Sequence, residues 1–158
     1  MFREMIRKKQ QLSPAECLAL LQQTKRGVLS VLGDDGYPYG IPLNHYYNEA
    51  DGCIYFHSGM QGHKLDALRR CDKVSFCVRD DGTPEPGHWA MRFRSVVVFG
   101  RVRFIEDRQT VCAVSAALSR KFTDDEAYIA EELRRFGPVT CMFALKPEHI
   151  TGKLVREA

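Results

Sequence analysis

The residues best equipped for chemistry cluster in one stretch, IYFHSGMQGHKLDALRR, Ile54 to Arg70. Its first half is strand-like. Its second half carries Leu65 and Leu68 three apart, as on one face of a helix. Between them lies a short turn with Gly59 and Gly62, flanked by His57 and Ser58 on one side and His63 and Lys64 on the other. Three readings fit these residue types: an anion site, a metal site, or a plain strand-to-helix connection. A helix N-terminus offers free N–H groups and the positive end of the helix dipole, which suits a phosphate. The glycines let backbone approach an anion closely. Ser58 adds a hydroxyl donor, and Lys64 and His63 add charge. Arg69 and Arg70 sit within reach or point to solvent, depending on helix phase. For a metal, His57 and His63 are separated by five residues with no third ligand at a recognised spacing, so no metal is assigned. No cysteine sits on a glycine-rich elbow of the kind a nucleophile needs.

A second stretch, GHWAMRFRS, holds Trp89, the only tryptophan, with Arg92 and Arg94 alternating with Met91 and Phe93. Such a pattern can stack on a planar ligand or on nucleic acid. It can equally be the start of a strand with one solvated, snorkelling face. His45, His88 and His149 are scattered.

These residues need elements to hold them. Ser13, Pro14 and Glu16 form a capping box with proline at the first helical position, which starts a helix at SPAECLALLQQ. GVLSVLG reads as a strand and PYGIPLNHYY as a second, whose Pro38 and Pro42 make it an edge or a bent strand. CIYFHS is a third, and the tight turns between the three predict an antiparallel meander. KVSFCVRD is a fourth strand. RSVVVFGRVRFIED is a long fifth, with Val96, Val98, Gly100, Val102 and Phe104 on one face. Gly100 marks a barrel bend or a close ligand approach. RQTVCAVSAALSRKF and DDEAYIAEELRRFG predict helices. VTCMFALKPEHITGKL predicts the last strand, interrupted at Pro147. The expected architecture is mainly β with helices: a six-stranded antiparallel barrel with peripheral helices in a single domain, 1–158.

The 158 residues are enough to bury a core without staples. The formal net charge of +3 leans toward anionic ligands but lacks the dense basic patch of a nucleic-acid binder. Six cysteines occur without a C-x-x-C pair. With no signal peptide and no membrane-spanning run, the expected setting is the reducing cytoplasm.

YGIPLNHYY, IYFHSGMQGHKLDALRR, KVSFCV and RSVVVFGRVRFIED occur in this order and spacing. Together they resemble the FMN-binding split-barrel proteins related to pyridoxamine 5′-phosphate oxidase, with the nitroimidazole-resistance (Nim) branch the most similar. The resemblance covers about Gly27 to Asp107 and extends to the final strand. It implies a split β-barrel homodimer with FMN in a cleft at each end of the interface. It implies that His57, Ser58, His63 and Lys64 surround the FMN phosphate. It further implies that the backbone of Pro42, Leu43 and Asn44 runs beside the isoalloxazine ring, that Ser95, Val96 and Val97 line the ring's other edge, and that Trp89 reaches the partner's flavin. The second basic and aromatic set with which pyridoxamine-phosphate oxidases grip their substrate has no counterpart in this shorter chain.

The sequence therefore leads to an FMN-dependent oxidoreductase, with NAD(P)H as donor and a small, nitroaromatic-like electron acceptor. No catalytic acid or base is assigned, because the flavin carries the redox chemistry. The rivals are a non-catalytic flavin carrier or sensor, a haem-binding split barrel ligated through His57 or His149, and a nucleic-acid module using Arg92, Arg94, Arg101 and Arg103.

Overall fold

The computed structural model describes residues 1–156. The chain forms α1 (Pro14–Gln23), β1 (Arg26–Leu32), β2 (Pro38–Asn44), β3 (Tyr46–Asn48), β4 (Cys53–Ser58), α2 (His63–Arg70), β5 (Lys73–Arg79), β6 (Thr83–Pro84), β7 (Met91–Ile105), α3 (Arg108–Ser119), α4 (Glu126–Phe136) and β8 (Cys141–Arg156). Every strand pairing is antiparallel, in the order β2-β1-β5-β7-β8-β4-β3, with β6 added beside β7. The sheet curls around one core, which gives the expected split barrel with helices around it.

Two expectations need correction. The stretch 38–47 is two strands: β2 ends at Asn44, β3 begins at Tyr46, and the two lie at opposite edges of the sheet. The early strands are therefore two separate hairpins rather than a meander, and His45 alone carries the chain across the split. The last strand also continues through Pro147. Its partner register slips by one between Phe99 and Gly100, so Glu148 bulges out and the ladder resumes on both sides. A bulge lets a proline sit in a strand without losing the ladder. With these breaks and the short β6 included, the strand count is eight rather than six.

The core explains the curl. Phe56, Phe76 and Phe143 are fully buried and packed together, with centroids of 5.0 Å for Phe56–Phe76 and 5.3 Å for Phe56–Phe143. Leu20 and Leu21 of α1, Leu65 and Leu68 of α2, and Leu29, Ile54 and Leu145 of the strands close around them. A smaller cluster of Cys53, Tyr55, Val111, Val114, Met142 and Ala144 lies under α3, on the other face of β4 and β8. The predicted capping box is present: Ser13 Oγ accepts from Glu16 N–H, and Glu16 accepts from Ser13 N–H at 2.7 Å. All six cysteines are free, and no helix among the described residues is long and apolar enough to cross a membrane.

His45 is fully buried at the crossing. Its Nε2–H donates to Leu21 O at the end of α1 (2.8 Å), while its Nδ1 is buried without a partner. Lys121, just past α3, donates to both Thr24 O (2.6 Å) and His45 O (3.0 Å). Burial, reinforced by the Lys121 charge, holds the His45 pKa down at about 4. Burial in turn lowers that of Lys121 to about 8.

Two outcomes follow from this packing. A Cβ at Gly100 would stand 2.1 Å from Lys146 O, a backbone atom of the neighbouring strand. Gly100 thus serves a close approach of backbone to backbone. Gly100→Ala should cost about 1–3 kcal/mol as overpacking, a fall in melting temperature of roughly 2–12 °C; an unchanged melting temperature would contradict the packing. His45 sets a pH dependence. An unfolded histidine titrates near 6.5 and takes up a proton that the native site refuses until about pH 4. Stability from this group is complete above pH 6.5 and drains away as pH falls toward 4. Between pH 7 and pH 5 the wild type should lose about 2 kcal/mol more than His45→Gln, which keeps a donor to Leu21. Urea unfolding at the two pH values measures it, and equal losses would refute the assignment.

Candidate functional site

The turn from Ser58 to Lys64 is open and donor-rich. Gly62 precedes α2 with φ 128°, a conformation side-chain-bearing residues rarely adopt, and offers no side chain to cap the helix. Its carbonyl accepts from Leu65 (2.9 Å) and Asp66 (3.2 Å). The N–H groups of His63 and Lys64 have no acceptor among the described residues, so two donors and the helix dipole face outward together. A Cβ at Gly59 or Gly62 would meet nothing within 4 Å. The turn is therefore open at both glycines.

Lys64 is half-buried and has no carboxylate partner among the described residues. Burial lowers its pKa. Its ammonium lies close enough to His57 that, after burial itself, it is the second cause depressing the His57 pKa. Burial likewise raises Cys141, against the pull of Arg69 and Lys64. A half-buried cation without a counterion, in the same helix turn as two free N–H groups, is what an anion would complete.

The remaining predicted residues divide into groups. Ser58 is at the turn, but its hydroxyl donates to Gly59 O at 2.8 Å, so its proton is already taken. Strand alternation puts Ser58 on the side of Phe56, and His57 on the side of Tyr55. The ring of His63 stacks on Tyr39 of β2, centroids 4.4 Å apart and planes within 11°. That stack brings the turn against the free edge of β2, the strand of Pro42, Leu43 and Asn44. Those three residues are partly or fully exposed.

Ser95, Val96 and Val97 are elsewhere. Ser58 pairs with Cys141 and Ser95 with Lys153. These partners lie twelve residues apart along β8, roughly 40 Å of strand. Val96 is fully buried, whereas Ser95 and Val97 face outward. On that outer face Pro42, Val28, Cys77, Val97 and Thr151 form one cross-strand row. Pro42 and Val97 thus share a surface but stand three strands apart, roughly 14 Å. Trp89 projects from the loop before β7, 81% exposed.

Two residues had no role in the sequence analysis, Asp34 and Tyr39, and a third, Arg70, was left between the turn and solvent. Asp34 accepts from Arg70 Nη2 at 2.7 Å and lies 3.3 Å from His63 Nε2. The DDG signal announced only a turn there, and nothing local shows that its carboxylate reaches across to α2.

Three of the four arginines weighed for nucleic acid are engaged, while Arg103 has no ion pair among the described residues. Arg92 pairs with Glu85 (2.9 Å), Arg94 with Asp80 (2.8 Å), and Arg101 with Asp72 (2.9 Å) and Glu148 (3.0 Å). His149 lies under Phe2, the two rings nearly parallel and 4.8 Å apart. No cluster of metal-ligating side chains occurs among the described residues.

The fold is shared with known proteins. No curated protein matches the chain. Among solved structures, a candidate 5-nitroimidazole antibiotic resistance protein from Bacteroides thetaiotaomicron is similar, with TM-score 0.77 and 21% identity over 92% of this chain and 87% of that one. A FAD-binding protein from Mesorhizobium loti has TM-score 0.64 and 25% identity, covering 92% and 96%. A FAD- and haem-binding protein from Mycobacterium smegmatis has TM-score 0.71 and 21% identity, covering 92% and 73%. The family profile described as pyridoxamine 5′-phosphate oxidase matches residues 13–154, nearly the whole barrel. The chain belongs to the pyridoxamine 5′-phosphate oxidase family.

Proposed function

We propose that this chain is a flavin-dependent oxidoreductase that binds FMN through its phosphate at the start of α2. The observation that carries the reading is a half-buried Lys64 with no carboxylate partner among the described residues, in the first turn of a helix whose His63 and Lys64 N–H groups have no acceptor. The three together fit a phosphate better than they fit a mere connection, which would have no use for an unpaired cation. FAD-binding proteins of the same architecture support a flavin as the ligand. Bound flavin would supply hydride or electron transfer, with NAD(P)H as the donor and a small planar compound such as a nitroaromatic as the acceptor. Lys64 and the helix terminus would hold the phosphate. The backbone at Pro42, Leu43 and Asn44, on the free edge beside Tyr39, would orient the ring.

A homodimer belongs to this reading. The outer sheet face carries Val28 and Phe99, 41% and 39% exposed, together with exposed Cys77. An apolar row running across four strands is what a second copy would cover. A second copy would also offer Ser95, Val97 and Trp89 to a site that they do not reach within one chain.

Two measurements test the proposal. Lys64→Ala removes a charge-assisted hydrogen bond worth about 1.5–3 kcal/mol, so FMN should bind roughly ten- to a hundredfold more weakly. Riboflavin affinity should stay unchanged, since it has no phosphate to lose. FAD should bind within about tenfold of FMN by the same arithmetic, because the turn is open at both glycines. Equal FMN affinity in wild type and variant would remove the phosphate assignment. Separately, sedimentation at low micromolar concentration should give twice the 18.0 kDa chain mass. Val97→Asp should shift the protein toward monomer; a wild-type monomer that still holds flavin would contradict the dimeric site.

A further inference from the structure

We propose that Asp34 is an internal competitor for the anion cradle and sets its preference among phosphorylated ligands, an inference that rests on the proposed phosphate site. Asp34 is the carboxylate that reaches two basic side chains of α2: Arg70, in the last turn, at 2.7 Å and, at 3.3 Å, the Nε2 of His63, in the first. Asp66, the acidic residue in the first turn of α2, is turned to Arg69 (3.2 Å). Lys64 is left unpaired. The cradle is thus half-neutralised from within.

The backbone holding Asp34 is fixed. Gly33 N–H donates to Tyr37 O (2.8 Å) and Tyr37 N–H donates to Asp34 O (3.1 Å). A Cβ at Gly33 would stand 2.9 Å from Tyr37 O and 3.1 Å from Tyr39 Cβ, so the turn is tight against β2. Asp35 and Gly36 take the left-handed conformation that closes it, with φ 54° and 77°. The Asp34 side chain is largely exposed, at 65%. It can rotate away into water while the turn stays in place, which frees Arg70 and His63. An incoming phosphate must either displace the carboxylate or tolerate its charge.

This makes the residue a discriminator. The terminal phosphate of FMN is close to a dianion above its second pKa of about 6. Each phosphate of FAD's diphosphate bridge carries a single charge. A carboxylate beside the bound anion repels the first more than the second. Asp34 therefore weakens binding of terminal phosphates and narrows the gap between FMN and FAD.

The test is titration of apoprotein with FMN, FAD and riboflavin at pH 8 and low salt. It uses wild type, Asp34→Asn, Arg70→Gln and the double variant. Asp34→Asn should tighten FMN about five- to tenfold, FAD about two- to threefold, and riboflavin not at all. Arg70→Gln should weaken FMN at least threefold more in the Asp34→Asn background than in wild type, because only there is the guanidinium free. Thermal melting reports whether each variant is folded. Unchanged or weaker FMN binding in folded Asp34→Asn would overturn the role of Asp34 alone. So would an equal gain for FMN and FAD, or a gain insensitive to Arg70, which would be a bulk charge effect. Equal wild-type affinity for riboflavin and FMN would overturn the phosphate site and the role of Asp34 together.

Discussion

One residue bridges the two free edges of this sheet. β2 ends one edge and β3 the other, and only His45 lies between them in sequence. The curled sheet cannot open without pulling that residue from the hydrogen bond it makes with the end of α1 and the one its carbonyl accepts from Lys121. Burying an imidazole with one nitrogen unpaired costs stability. The return is a fixed distance between the edge of β2 and the turn after β4. That spacing lets Tyr39 stack on His63 and sets the start of α2 against the first residues of β2, the strand that continues to Pro42, Leu43 and Asn44. The candidate site is a consequence of where the barrel is split.

Charge is distributed unevenly over the protein. Most arginines on the strands and helices meet a carboxylate within ordinary ion-pair distance, as Arg101 does with Asp72 and Glu148, and Arg120 with Glu126. Exposed pairs of this kind add little stability, but they remove the arginines from ligand binding. Lys64 departs from the pattern, as Lys121 does: burial works against its charge and no carboxylate among the described residues compensates. The mild positive net charge is thus less informative than the location of such cations. The same comparison weighs against the nucleic-acid reading, three of whose four arginines, Arg92, Arg94 and Arg101, are already neutralised.

Local signals in the sequence were strong where local physics decides. The capping box at Ser13 and Glu16, the glycine before α2 and the alternation along β7 could be read directly, because each depends on residues within a few positions. The misread features depend on distant partners. The strand break at His45 is imposed by α1 and Lys121, neither visible from PYGIPLNHYY. The passage of β8 through Pro147 requires a bulge whose register is set by Gly100 on another strand. The site followed the same rule. The turn and its lysine were legible as a motif, while Asp34 was hidden because it meets α2 across about thirty residues of chain. The placement of Ser95 and Val97 far from the turn along the sheet could not be seen without the register.

The central claim concerns two backbone groups, the N–H donors of His63 and Lys64. Their amide chemical shifts, followed by nuclear magnetic resonance during titration of isotope-labelled apoprotein with FMN and with riboflavin, report on it most directly. The account requires both amides to move strongly with FMN and to stay near their free positions with riboflavin, while residues along β2 respond to either flavin. If FMN binds and shifts β2 but leaves the His63 and Lys64 amides where they were, the start of α2 does not hold the phosphate.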